Sequence, residues 1–167
     1  MDSVGEPPFE SALTLRPERD DEADRTFLFA LFVATKAADM EAMPIDAAAK
    51  EFLLRAQYRS MSATYRRDFR NARWEVVELM REPVGRIISD VDDRCVTYVD
   101  IALLPRAQGR GLATSLMMRA LEEPRRLGLP ARVNVLAQNV ASLKLCERLG
   151  FVRLADAPPF VRLEWRA

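Results

Sequence analysis

Residues Val99 to Thr114 have the composition of a phosphate-binding turn. The stretch begins as an apolar strand, is interrupted by Pro105, turns through Gly109 and Gly111, and continues as an amphipathic helix. Proline has no N–H for a strand ladder, and glycine allows a tight turn that comes close to a ligand. A turn of this kind directs backbone N–H groups and the positive end of a helix at an anion. The sequence therefore predicts a phosphate site here.

A dinucleotide-binding turn is the first alternative to consider. Such turns have the sequence G-x-G-x-x-G and are followed by a carboxylate after the next strand, which binds the ribose. Here Thr114 stands in the place of the third glycine, and no carboxylate directly follows the next predicted strand. The lysine motif of phosphate loops is absent as well. The sequence thus disfavours a nucleotide-binding oxidoreductase.

Two segments instead resemble the signatures of the GCN5-related N-acetyltransferases, the GNAT superfamily. Residues 108–113, Gln-Gly-Arg-Gly-Leu-Ala, fit the fingerprint Q/R-x-x-G-x-G/A, with Pro105 three residues ahead, as is common there. Residues 139–151, Asn-x-x-Ser-x-x-Leu-Cys-Glu-Arg-Leu-Gly-Phe, resemble the second signature, N-x-x-A-x-x-L-Y-x-x-L-G-F. The resemblance extends from about Tyr98 to Phe151.

This resemblance implies a mixed α/β fold with a central, mostly antiparallel seven-stranded sheet and about four flanking helices. One parallel strand pair splays apart, and the pantetheine arm of acetyl-CoA lies in the gap. The implied function is an acetyl-CoA-dependent N-acetyltransferase. It would transfer the acetyl group to a primary amine of a small molecule or peptide by direct attack in a ternary complex. The alternative is a catalytically weak or inactive acyl-CoA-binding or regulatory module of the same fold.

The resemblance also implies which residues bind the coenzyme. The glycine turn would bind the pyrophosphate through its backbone, and the guanidinium of Arg106 or Arg110 could donate to a phosphate. The backbone of Leu103 would meet the thioester and pantetheine. The Asn139 amide could reach the coenzyme arm, although asparagine is also an excellent helix N-cap. The full expected set is Leu103, Leu104, Pro105, Gln108, Gly109, Arg110, Gly111, Leu112, Ala113, Thr114, Asn139 and Ser142.

Two residues are the candidates for catalysis. Cys146 occupies the position of the usual tyrosine, which acts as general acid toward the leaving sulfur; alternatively it is a small buried apolar residue. Asp100 in the central strand is the first candidate for a general base, followed by Glu75 and Glu78. Each of these carboxylates could instead be paired with a cation or face solvent, and a water chain could then remove the proton. Three further residues could line the acceptor side: Tyr65, Tyr98 and Asn134.

Composition limits the possible functions. The 167 residues suit a single domain, predicted over residues 10–167 after a loose tail at 1–9. Lys plus Arg equals Asp plus Glu, which argues against a nucleic-acid partner. Without histidine, a His-based triad or a histidine metal site is impossible, and we expect no metal. Two cysteines and the lack of a signal peptide or membrane-spanning run predict a cytoplasmic protein. The resemblance leaves a homodimer open.

Periodicity and turn residues predict the element order β-α-α-β-β-β-α-β-α-β-β. A helix begins near Asp20, where acids complement the helix dipole, and a second helix begins after an N-cap at Asp46. Pro124 must bend or end the long helix that follows the glycine turn. The strand at 131–137 should lie parallel to the central strand.

A basic stretch contains Arg66, Arg67, Arg70 and Arg73. It is either a solvated helix end or a rim that attracts an acidic substrate or the coenzyme phosphates.

Overall fold

A computed structural model describes residues 12–167 of the chain. The predicted tail at 1–9 lies outside the described residues. The elements follow the predicted order, and their bounds along the chain are β1 Leu13–Pro17, α1 Glu22–Glu41, α2 Ala47–Asp68, β2 Arg73–Leu79, β3 Glu82–Val91, β4 Val96–Leu103, a 3-10 turn Pro105–Ala107, α3 Leu112–Ala120, α4 Glu122–Leu127, β5 Ala131–Leu136, α5 Val140–Arg148, β6 Val152–Ala157 and β7 Phe160–Trp165.

The strands form one seven-stranded sheet in the order β1-β2-β3-β4-β5-β7-β6. All neighbours pair antiparallel except β4 and β5, which are parallel. This arrangement confirms the predicted mixed α/β fold with a single parallel pair. None of the helices in residues 12–167 is long and apolar enough to cross a membrane.

Each face of the sheet packs against a different set of helices. One face shares a core with α3 and α5, in which Val77 and Ile87 pack with Leu116 and Leu143. Because strand side chains alternate, the adjacent and fully buried Ile88 points to the other face, where α1 packs on β3 and β4. The central strand β4 is therefore held between two helical layers.

Aspartate caps fix the starts of the first two helices. The Asp21 carboxylate accepts a hydrogen bond from the Asp24 N–H at 2.8 Å, and the Asp46 carboxylate accepts one from the Ala49 N–H at 2.8 Å. Each bond satisfies one of the N–H groups that a helix leaves free at its start. The Asp46 cap is where the sequence predicted it.

The long helix after the glycine turn divides at Leu121, between α3 and α4. Pro124 has no N–H to donate to the carbonyl of Ala120, four residues earlier. The Tyr98 hydroxyl donates to that carbonyl instead, at 2.7 Å. The break that the sequence predicted is thus stabilised by a side chain of the central strand.

Candidate active site

Strands β4 and β5 part soon after they begin. Their parallel pairing comprises Val96 with Ala131, Thr97 with Arg132 and Tyr98 with Val133. Beyond these rows β4 remains bonded to β3, whereas β5 continues with β7. The sheet therefore contains a V-shaped opening between residues 99–103 and 134–136.

A β-bulge lies at the apex of this opening. In β3, Ile88 pairs with Asp100 and the next residue, Ser89, pairs with Tyr98, so that Val99 is the extra residue. A bulge bends its strand and changes the direction of the side chains that follow. Here it coincides with the point where β4 and β5 separate.

The end of β4 presents a backbone N–H to the opening. The Leu104 N–H donates to the Val84 carbonyl of β3 at 2.8 Å. Because successive N–H groups of a strand point to opposite sides, the Leu103 N–H points away from β3, toward the side that β5 has left. The Leu103 carbonyl accepts a hydrogen bond from the Gln108 side chain at 2.8 Å, which ties the glycine turn to the strand end.

The glycine turn leaves a run of backbone donors free. Gly109 and Gly111 have φ values of 71° and 78°, which other residues rarely adopt. The first hydrogen bond of α3 runs from the Ser115 N–H to the Gly111 carbonyl at 3.0 Å. Within residues 12–167, the N–H groups from Gly109 to Thr114 donate to no acceptor. Unpaired N–H groups at a helix start that carries no acidic residue in its first turn form a suitable anion site.

Asp100 lies just inside the apex of the opening. Its side chain is 23 % exposed and is paired with Arg86 of β3, whose Nη2 and Nε atoms lie 2.6 and 3.0 Å from the same carboxylate oxygen, Oδ2. Burial, and secondarily the charge of Asp100, raise the pKa of the Tyr65 hydroxyl on α2.

Cys146 is buried on the inner side of α5. Its residue is 5 % exposed and belongs to the apolar core. Burial, together with the charge of Glu147, raises the pKa of its thiol to about 11. The thiol is therefore protonated at neutral pH, the state that a general acid requires, but it has little access to solvent. Its role as an acid stays a prediction.

Comparison with known families decides the family of the chain. The family model described as the acetyltransferase (GNAT) family matches residues 39–151. The chain belongs to this family. The predicted resemblance is confirmed, and the protein is by family an acetyltransferase. No curated protein sequence matches the chain.

Solved GNAT structures share the fold at low sequence identity. The PaiA N-acetyltransferase from Thermoplasma acidophilum, in complex with coenzyme A, is 14 % identical, with a TM-score of 0.68 and coverage of 93 % of this chain and 99 % of that chain. An acetyltransferase from Thermus thermophilus is 18 % identical, with a TM-score of 0.65 and coverage of 93 % and 97 %. The N-acetyltransferase PseH from Campylobacter jejuni, in complex with acetyl coenzyme A, is 15 % identical, with a TM-score of 0.59 and coverage of 92 % and 98 %.

The second GNAT signature contains the N-cap of α5. The Asn139 side-chain oxygen accepts a hydrogen bond from the Ser142 N–H at 3.1 Å. The structural interpretation of Asn139 as a cap is therefore correct. The bond uses the amide oxygen and not the NH2 group, so a coenzyme contact through that group stays a proposal.

Other residues expected near the acceptor lie in different surroundings. Tyr98 is buried beneath α3, with its hydroxyl bonded to Ala120, so that it faces the core and not the acceptor side. Glu78 pairs with Arg16 at 2.6 Å. Asn134 is exposed on β5, in the row that pairs with Arg162 of β7.

The basic stretch of this GNAT protein is largely paired with carboxylates. Arg66 stacks on the Trp74 ring at 4.0 Å and lies 3.2 Å from Glu18, Arg67 pairs with Asp68, and Arg73 pairs with Glu123. These contacts describe a surface held by ion pairs, as the solvated-helix interpretation expects.

The sequence does not predict the arginine–carboxylate pairs on the α1–α2 side of the sheet. Arg86 lies in a run that the sequence identifies only as β-rich, and Asp24 is one of the acids near the start of α1 that the sequence predicts to complement the helix dipole. Asp24 in fact accepts two 2.6 Å hydrogen bonds from Arg16. An arginine within an apolar strand was the available signal for Arg86.

Proposed function

We propose that this protein is an acetyl-CoA-dependent N-acetyltransferase that acts on a primary amine of a small molecule or peptide. The observation that carries the proposal is the V-shaped opening, with free N–H groups from Gly109 to Thr114 at one end. The pyrophosphate would bind these donors, and the pantetheine arm would pass along the Leu103 N–H. The solved PaiA and PseH structures, which contain coenzyme A and acetyl coenzyme A, support a coenzyme of this class.

The reaction we propose is direct attack in a ternary complex. A free alkyl amine has a pKa of about 10.4, so a base must remove a proton before the nitrogen can attack the thioester. Fixed N–H donors stabilise the oxyanion that forms, and the Leu103 N–H is placed for this. A thiol with a pKa of about 8.5 is a good leaving group. We assign the base role to Asp100.

Acetyl-CoA is expected to raise the melting temperature of the protein, whereas NAD is not. At a concentration about 100 times the dissociation constant, a ligand that binds only the folded state stabilises it by about 2.7 kcal/mol, which is roughly 5–11 °C for a domain of this size. Differential scanning fluorimetry measures the shift. An equal shift with NAD, or none with acetyl-CoA, would contradict the proposed cofactor.

Thiol release over a panel of amines distinguishes an enzyme from a binding module. The module is the second candidate because Cys146, at the position of the usual tyrosine, is buried in the core. We expect thiol release that depends on the amine. Coenzyme binding without release for any amine would favour the module.

Replacing Cys146 by alanine is expected to change kcat by less than about threefold, because water in an open cleft can protonate the leaving thiolate. The same variant should lose some stability through the lost packing of a buried side chain. Steady-state kinetics and a melting curve give both results. A kcat loss of roughly 10²–10⁴-fold with an unchanged KM for acetyl-CoA would instead establish Cys146 as the acid.

A further inference from the structure

Arg86 is a buried arginine in the middle of the sheet. It lies on β3, where residues 84–89 are all buried, and its side chain is 4 % exposed. Its Nε and Nη2 atoms donate to Asp100. Its Nη1 atom is also buried and has no hydrogen-bond partner among the residues that the structure describes.

Stability alone does not explain an arginine at this position. Removing a guanidinium from water costs free energy that one ion pair often fails to recover, and a buried N–H group without a partner adds to that cost. An apolar residue would fill the same strand position at lower cost, as Val76 does in the same row of the neighbouring strand β2. Residues that break the local pattern in this way are concentrated at functional sites.

The ion pair uses only one of the two carboxylate oxygens of Asp100. Both Arg86 hydrogen bonds end on Oδ2 of Asp100, and neither uses Oδ1. The guanidinium therefore holds Oδ2 with two donors while Oδ1 remains outside the pair. Asp100 is partly exposed and lies just beyond the last paired row of β4 and β5, where an acceptor would approach.

We propose that Arg86 is a positioning residue, which holds the Asp100 carboxylate at the apex of the opening so that Oδ1 takes the proton of the acceptor. This inference rests on the proposed acetyl transfer. The acceptor ammonium gives one proton to Oδ1, and the freed lone pair forms the N–C bond. The C–S bond then breaks with its electron pair going to sulfur, and the second proton of the nitrogen neutralises the thiolate. The products are an amide and a free thiol.

Tyr65 and Glu18 are two other titratable residues on this side of the sheet, and neither is a cation that could pair with Asp100 in place of Arg86. Glu18 is engaged by Arg66 at 3.2 Å. Among the described residues, Arg86 is the one cation that donates hydrogen bonds to Asp100.

A double-mutant cycle of Asp100→Asn and Arg86→Met tests the proposal. We expect Asp100→Asn to lower kcat by roughly 10²–10⁴-fold, the usual effect of losing a general base. Arg86→Met should lower kcat by roughly 10–100-fold and leave the KM for acetyl-CoA within about twofold, because the coenzyme phosphates would bind the glycine turn, whereas the hydrogen bonds of Arg86 go to Asp100. Since Arg86 acts through Asp100, the double variant should be no slower than Asp100→Asn alone.

Two further variants keep the experiment decisive. Arg86→Lys retains the charge but not the fork, so its kcat should lie between those of wild type and Arg86→Met. If Arg86→Met does not fold, Arg86→Lys takes its place in the cycle. Arg132→Met is the control for losing an arginine–carboxylate pair between adjacent strands, because Arg132 lies 2.8 Å from Glu164; its side chain is 41 % exposed, unlike that of Arg86. It should retain kcat.

The outcomes separate this inference from the function on which it rests. Wild-type protein that acetylates no amine would refute the proposed function and the inference together. Active wild type with multiplicative losses in the double variant, or with an unchanged kcat in Arg86→Met, would refute the positioning role alone. An equal kcat loss in Arg132→Met would also refute it, since it would show a general structural effect.

Discussion

Replacing Gly111 by valine is expected to weaken acetyl-CoA binding by roughly 100-fold or more, equivalent to about 2.8 kcal/mol. Gly111 has a φ of 78°, and a β-branched residue is a genuine outlier there. The variant must either change this angle, which rotates the N–H groups of the turn, or extend a side chain into the space beside them. Both effects disrupt the anion site. Isothermal titration with acetyl-CoA measures the loss.

Gly128→Val is the matched control for this variant. Gly128 ends α4 with a φ of 65°, and an added Cβ would meet no atom within 4 Å at either glycine. Both variants should therefore lower the melting temperature through backbone strain, but Gly128→Val should bind acetyl-CoA normally. An unchanged affinity in a folded Gly111→Val protein would refute the role of the turn.

Replacing Asp24 by asparagine is expected to destabilise the protein by about 3–5 kcal/mol, the usual effect of breaking a buried ion pair. For a domain of this size the melting temperature should fall by roughly 6–20 °C. Asp24 is 5 % exposed at its side chain, and Arg16 donates to both of its oxygens at 2.6 Å. The loss leaves Arg16 with Glu78 as its remaining carboxylate. Thermal unfolding measures the change.

The same ion pair gives the stability a defined pH dependence. Hydrogen bonds from Arg16, and from the Arg19 N–H, hold the pKa of Asp24 below its ordinary value. A carboxyl group whose pKa is lowered on folding stabilises the fold above its unfolded pKa of about 3.9, and this stabilisation is lost as pH falls through the folded pKa. Wild type should thus lose stability below about pH 4 more steeply than Asp24→Asn.

Asp20→Asn is the control for Asp24→Asn. Asp20 also pairs with an arginine at 2.6 Å, but both side chains are largely exposed. Exposed pairs contribute little, so this variant should melt close to wild type. Equal melting temperatures for Asp24→Asn and wild type would refute the stabilising role of the buried pair.

The sequence predicted those features that depend on neighbouring residues. The Asp46 cap, the glycine turn and the interruption by Pro124 follow from local backbone chemistry, and each is present. The apex of the opening could not be predicted in this way. It depends on the bulge at Val99 and on β5 separating from β4 while it stays paired with β7, and both involve pairings between distant segments.

The buried charges were missed for the same reason. The seven residues between Arg16 and Asp24 include the end of β1 and the start of α1, and the contact of the two side chains exists only because α1 folds back on the sheet. The pairing of Arg86 with Asp100 likewise requires the register of β3 on β4. Composition and periodicity do not show that these residues are partners.

The short pairing of β4 with β5 has a mechanical consequence. Three rows of residues form the seam that joins the four strands β1–β4 to the three strands β5, β7 and β6. A molecule bound in the gap would contact both parts and would join them where β4 and β5 form no backbone hydrogen bonds. We therefore expect binding in the gap to make the two parts more rigid relative to each other. By linkage, a change that makes them more rigid should strengthen binding by the same free energy.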